Sequence, residues 1–332
     1  MNSLYLSCFV FLCYLFANAE AVAGEMRENK KNPKLVQSTP VGYAMSGNLV
    51  TTGGKGGPTV IVKSLADFKD AAKSRGPLII KVSGRLYGSG MTDVASNKTI
   101  IGLPGATLTG VGLALYRVNN IIIKNMRINK VIGADCITIK ELSHHVWVDH
   151  CELWGDRSHG WDYYDELLEV TDRSSYVTIS NTIFRDHHTG ILIGGHDLAK
   201  PDIGYLKVTI YGNYFYNISE RAPGMRLGYV HVFNNYFVNN SGYRSGYTIG
   251  CTTGGTVRTD NNYFKNQVIP IFTDFNHGPG VISGASTNIY VNCGTNKIST
   301  PPSRWIPSYR YKDILLPASE VPRSVLKNAG PR

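Results

Sequence analysis

The stretches VTISNTIF (177–184), VTIYGNYF (208–215), VHVFNNYF (230–237) and VRTDNNYF (257–264) are four versions of one pattern. An apolar–x–apolar strand leads into polar residues and closes on an aromatic. Two earlier stretches fit the same template, IIIKNMRI (121–128) and VWVDHCEL (146–153). Their starts are spaced by 25, 31, 31, 22 and 27 residues. Short strands recurring at such a period signal a solenoid, in which each coil buries its apolar face only by stacking on the next. No long helical pattern lies between the strands, so βαβ units are not expected. The repeat predicts an all-β parallel β-helix with alternate residues pointing inward.

The fifth position of the repeat is polar or glycine throughout: Asn125, His150, Asn181, Gly212, Asn234 and Asn261. The sixth is asparagine in the last three, at Asn213, Asn235 and Asn262. Asparagine tolerates left-handed backbone angles and can bond to its copy in the next coil. A turn-supporting asparagine ladder is the expectation. Asp149 and His150 fall in the same part of the repeat, so they read as a buried hydrogen-bonded pair and not as an acid–base couple. Residues 64–75 read as a short helix capped by Ser64, with Leu65, Phe68 and Ala72 on one face and Gly76 as the stop. A second helix is expected in 317–329, ending at Gly330. Both are expected to cover ends of the solenoid. The longer spacings must bulge out as loops, where binding chemistry usually sits.

Hydrophobic residues make up 42% of the 332-residue chain and charged ones 17%, which marks a globular protein. The first 19 residues lack charge, and the apolar run 4–16 is followed by Ala17-Asn18-Ala19. Residues 1–19 therefore read as a secretory signal peptide, 20–36 as an N-terminal arm and 37–332 as the β-helix domain. The apolar run is too short to span a membrane comfortably, so no membrane partner is expected. Four cysteines lie beyond it, Cys136, Cys151, Cys251 and Cys293. The oxidising compartment admits disulfides, and the expected pairs are Cys136–Cys151 and Cys251–Cys293, with free buried thiols as the alternative for the first. Three sequons, at Asn97, Asn217 and Asn239, are glycosylation candidates. The net charge of +10 suggests a polyanionic partner. Secretion and the absence of any nucleic-acid-binding motif argue against nucleic acid and for an acidic polysaccharide.

VWVDHCEL (146–153), YYDELLEV (163–170), LIGGHD (192–197) and RAPGMR (221–226) occur together, in an order that resembles the pectate lyase family. VGYA (41–44), TTGGKGG (51–57) and TIIG (99–102) extend the resemblance to fungal-type members, from about Val41 to the end of the chain. The resemblance implies a right-handed, single-stranded β-helix with short capping helices. It implies a secreted, extracellular, monomeric enzyme that cleaves polygalacturonate by β-elimination. Asp135, Asp165 and Glu169 match calcium-binding positions, with Asp162 and Glu166 as nearby alternates. Adjacent coils would bring these acids together as hard oxygen ligands suited to Ca2+. Gly133 stands where a further aspartate can occur.

By the same resemblance Arg221 is the catalytic base and Arg226 a substrate-carboxylate ligand. A base role is awkward for arginine, because its pKa is above about 12. Nearby cations would have to lower it, or Arg221 acts as an electrostatic stabiliser. Thr189 stands where the family commonly has a substrate-binding lysine. It is taken as part of the substrate site with His188, and His187 or His188 is considered as a replacement cation. The departure leaves open a lyase acting on methyl-esterified pectin without calcium. A catalytically silent wall-binding homologue is a further reading, opposed by retention of both arginines. Hydrolysis ranks low, since no Asp-Asp pair followed by a Gly-His-Gly segment is present.

Overall fold

A computed structural model describes residues 40–332 apart from 241, 243 and 244. The expected signal peptide and N-terminal arm lie outside the described residues. Among the described residues no helix is long and apolar enough to cross a membrane.

The chain folds as a right-handed parallel β-helix. Three ladders of parallel strands run its length. The first contains ten strands in strict chain order, from Thr59–Val62 to Val281–Ser283. The second and third meet in the long strand Thr107–Tyr116. Its start pairs with Arg127–Asn129 in the second ladder, and its end pairs with Ile137–Lys140 in the third.

The sequence repeat gives the register directly. Ile121, Val146, Val177, Val208, Val230 and Val257 stand opposite one another on successive rungs of the first ladder. They and their i+2 partners point inward and are fully buried. The aromatic closes of the repeat stack on the second ladder. The rings of Phe184, Phe215, Phe237 and Phe264 follow one another at 4.7–4.8 Å, close to the strand spacing itself. Stacked rings contribute roughly 0.5–1.5 kcal/mol per pair beyond their burial.

The two asparagine positions do different jobs. All six residues at the fifth position take left-handed backbone angles, with φ between 48° and 67°. The sixth position forms the ladder: Asn213 donates to Asn235, Asn235 to Asn262 and Asn262 to Asn288, at 3.0–3.1 Å. Asp149 and His150 are a buried turn support. Asp149 accepts from Ser180, Asn181 and Lys124, and His150 lies 2.6 Å away.

The helix Leu65–Lys73 forms as expected, with the Ser64 hydroxyl accepting from the Asp67 N–H at 3.1 Å. It stops at Ser74, before Gly76. Phe68 and Ala72 are buried against the first coil, which fits an end cover. The helix Val321–Asn328 does not cover an end. Val321 and Val325 pack on the side of the solenoid against Tyr214, Tyr236 and Tyr263. Tyrosine at the first outward position of three successive second-ladder strands makes an apolar stripe there, and the helix covers it.

Both expected disulfides are corrected. All four cysteines are free. Cys136 and Cys151 fill separate core positions beside the carbonyls of Ile128 and Ile123. Cys251 packs on Met225, while Cys293 lies against the Gln267 backbone. Two of the sequons are also poor acceptors: Asn217 and Asn239 are buried, with their amides bonded to Asp186 and Gln267.

The asparagine ladder yields a stability prediction. The Asn235 amide donates to the Ile210 and Phe233 carbonyls and to Asn262, and its oxygen accepts from Asn213. Asn235→Ala orphans those buried groups and should cost about 2–4 kcal/mol in equilibrium urea denaturation. A loss below about 0.5 kcal/mol would show that the ladder contributes little.

Candidate active site

The third ladder carries the expected site residues. Its strands Ile137–Lys140, Leu168–Val170, Ile191–Ile193 and Gly224–Arg226 lie side by side. Leu168 and Val170 point into the core, so Glu169 points outward, level with Thr138 on one side and Leu192 on the other. Asp135 precedes the first of these strands. Asp165 and Glu166 precede the second, Thr189 the third and Arg221 the fourth.

The stacking brings Asp135 and Glu169 together, with Asp165 also close enough to act on Asp135 electrostatically. Asp135 and Glu169 are buried, while Asp165 is exposed. Asp135 also takes the Thr138 hydroxyl at 2.5 Å and the Glu166 backbone N–H at 3.0 Å. Burial, followed by the Glu169 carboxylate, raises the Asp135 pKa well above the carboxylate range. Lys140 places its Nζ 2.6 Å from Glu169 Oε2. Among the described residues no three acids, histidines or cysteines are grouped closely enough to hold a metal ion by themselves. The donors are nonetheless carboxylate oxygens, crowded closely enough for Glu169 to raise the Asp135 pKa. That is an arrangement a hard divalent cation relieves, with water or substrate oxygens completing its shell.

Arg221 sits across from this cluster in a left-handed backbone conformation, φ 59°. A Cβ on Gly224 would lie 2.7 Å from Arg221 Cγ, so glycine there leaves room for the guanidinium stem. Arg221 Nη1 donates to Glu166 Oε1. Burial disfavours the Arg221 charge, but Glu166 and Tyr247 outweigh it and the pKa is raised. The protein side chain paired with the guanidinium is thus a carboxylate. Glu166 is an ion-pair partner of Arg221, and its side chain does not join the acidic cluster as an alternate ligand. Burial pushes its own pKa up to about 7, against the pull of Arg221.

Arg226 donates from Nε to Asp197 Oδ1 at 2.7 Å and from Nη1 to the Gly194 carbonyl at 3.0 Å. Asp197 also holds Thr253 and the exposed His277, and despite some burial these contacts pull its pKa down to about 2. Thr189 is buried, and its hydroxyl donates to the Asp165 carbonyl at 2.7 Å. It steadies the Asp165 loop and does not reach outward. His187 is buried, which drives its pKa down to about 4, so it is no replacement cation. His188 stacks on Trp161 at 4.7 Å and contacts the His159 carbonyl at 3.3 Å. It stands at the edge of an aromatic shelf completed by the exposed Trp161 and Tyr163.

The sequence reading missed Lys140, Asp197 and the Glu166–Arg221 pair. Period-two alternation in CITIK, with Ile137 and Ile139 inward, was enough to turn Lys140 outward beside the acids. Asp197 lies within the quoted LIGGHD. No sequence signal couples residues 166 and 221, which meet only through coil stacking.

The fold and the relatives it matches make this chain a polysaccharide lyase on a β-helical scaffold. The chain belongs to the pectate lyase family, whose model matches residues 14–330. It is 42% identical to a probable pectate lyase B of Aspergillus terreus over 233 residues, 69% of this chain and 71% of the relative. It is 46% identical to pectate lyase plyB of Emericella nidulans over 204 residues, 60% of this chain and 62% of that one. Among solved structures it resembles a pectate lyase of Bacillus sp. N165 in complex with trigalacturonate. The TM-score is 0.77 at 29% identity, covering 88% of this chain and 98% of the other. A pectate lyase II of Xanthomonas campestris shares the fold, with TM-score 0.74 at 22% identity, covering 88% and 98%.

The crowded acids predict a pH dependence. Asp135 holds a proton in the folded chain that the unfolded chain has already released. Stability present at low pH is therefore lost as pH rises toward its folded value. Buried histidines such as His187 act in the opposite direction, but only up to their ordinary value of 6.5. Between pH 6.5 and about 8 the chelator-treated protein should lose a few degrees of melting temperature. Asp135→Asn should flatten the slope. A melting temperature that rises across that interval in chelator would contradict the crowding.

Proposed function

We propose that the chain cleaves polygalacturonate by β-elimination, with Asp135, Asp165 and Glu169 holding Ca2+ and Arg221 acting at the reacting carbon. The observation that carries this reading is the placement of Arg221 beside an acidic cluster on one face of a rigid solenoid. The trigalacturonate bound to the Bacillus relative supports an acidic uronate polymer as substrate. The apolar run at residues 4–16 supports secretion.

In such a reaction the C5–H bond breaks, the C4=C5 double bond forms, and the C4–O4 bond releases its pair to the departing oxygen, which takes up a proton. Bound calcium would draw charge from the uronate carboxylate and make that C5 proton more acidic. The remaining steps belong to the protein. Arg226 is fixed by Asp197 and Gly194, and it offers its remaining guanidinium donors to a neighbouring carboxylate. Thr189 keeps the Asp165 loop in place, and His188 with Trp161 borders the polymer. Family resemblance makes Arg221 the proton acceptor. Its pairing with Glu166 supports the other role, a fixed cation that stabilises the developing enediolate, with solvent water then taking the C5 proton.

A second reading, elimination on methyl-esterified pectin, is favoured by the buried Thr189 and by the pairing of both arginines with carboxylates. Fewer unpaired cations face an incoming carboxylate than the family pattern provides.

Purified protein should form unsaturated oligogalacturonides from polygalacturonate, read as rising ultraviolet absorbance, and chelator should abolish the signal. Arg221→Ala should lower the rate about 10²–10³-fold with the fold intact by circular dichroism. Activity confined to methylated pectin and surviving chelation would transfer the assignment to the second reading. A fully active Arg221→Ala would refute the role of Arg221.

A further inference from the structure

Glu166 occupies an unusual place. Its side chain is only 2% exposed, although the segment before it is open to solvent. One carboxylate oxygen receives Arg221 Nη1. The other, Oε2, is buried and makes no direct hydrogen bond of good geometry, although the Thr189 hydroxyl, which donates to the Asp165 carbonyl, is near enough to act on the carboxylate. A carboxylate buried with so few partners is costly to keep, and it contributes little to the fold that an apolar side chain would not.

The Glu166 backbone is pinned as firmly as the side chain. Its N–H donates to Asp135 Oδ1, and its carbonyl accepts from Cys136 N–H at 3.2 Å. Its neighbour Asp165 is held through the Thr189 hydroxyl. Glu166 thus joins the acidic cluster at its main chain to the guanidinium at its side chain. Arg221 is tied to the adjacent coil by its backbone, the carbonyl accepting from the Ile191 N–H at 2.5 Å, but this does not orient the guanidinium. Its backbone is left-handed, and the residue facing its stem is Gly224, which cannot pack around it. Tyr247 and the half-buried Glu220 also act on it.

We propose that Glu166 is the positioning residue for Arg221, fixing the direction of the guanidinium relative to the acidic cluster. The inference rests on the lyase reading and deepens it. Glu166 does not touch substrate, since its carboxylate is covered. It acts by holding Arg221 in one orientation and by opposing the loss of its charge. Misplacing a catalytic group by about 1 Å can lower a rate by about a hundredfold. Glu166 therefore belongs with the machinery of the reaction although it binds neither polymer nor metal.

The test compares Glu166→Ala and Glu166→Gln in the full chain. Glu166→Ala should lower kcat about a hundredfold with little change in KM, because Arg226 and the acids that bind substrate are untouched. Glu166→Gln keeps a neutral acceptor of the same shape and should restore most of the loss. Calcium affinity, measured by calorimetry with calcium alone, should be unchanged in both. A double-mutant cycle with Arg221→Ala in urea denaturation should be strongly non-additive. Retained kcat in Glu166→Ala, or additive stability effects, would overturn the proposal. So would calcium affinity falling in parallel with kcat, which would make Glu166 a metal ligand. If wild-type protein gave no unsaturated product, the lyase reading would fail, and the stability cycle would still decide whether Glu166 holds Arg221.

Discussion

The structure depends on in-register stacking of successive coils. Each rung lies one strand spacing from the next, and each buries the apolar face that a single coil leaves bare. Inward Val and Ile columns, the phenylalanine stack and the asparagine ladder all satisfy the same translation. The translation also makes function possible. Residues one or two coils apart in sequence become neighbours on a surface that packing holds rigid. Asp135 and Glu166, 31 residues apart, and Glu166 and Arg221, 55 apart, meet for this reason. No local motif could assemble them.

Charge at the site is balanced by the protein itself. Lys140 lies on Glu169, Glu166 on Arg221, and Asp197 on Arg226. A substrate carboxylate must therefore compete with carboxylates already in place, although the chain as a whole is strongly basic. Buried pairs of this kind add little stability compared with apolar packing. What they supply is fixed orientation and a surface whose charge is set. Thr189 serves the backbone and adds no positive charge to offset the acids. The crowded acids, with Asp135 holding its proton, show the same imbalance from the other side.

Much of the fold was legible in the sequence, because a repeat is a register. The six strand starts identified by pattern are the six residues that stand opposite one another in the first ladder. The fifth and sixth positions were read as one feature, but they separate into a conformational role and a hydrogen-bonding one. The side-packed C-terminal helix was missed because its partner is a stripe of tyrosines from three coils. That stripe is visible only once the outward positions are stacked. The disulfides failed because cysteine count and compartment say nothing of distance. At the site, spacing placed each acid on the correct rung. It could not tell which carboxylates would turn toward the cluster and which toward a cation. Glu166 turned to Arg221, a choice made by side-chain geometry between coils.

The account's central claim is that acids and an arginine on one face of the solenoid carry out elimination and not hydrolysis. Mass spectrometry of fragments from a defined oligogalacturonate tests it directly. Elimination predicts that every cut leaves one fragment whose new non-reducing end lacks the elements of water. A product set made only of saturated fragments would contradict the account.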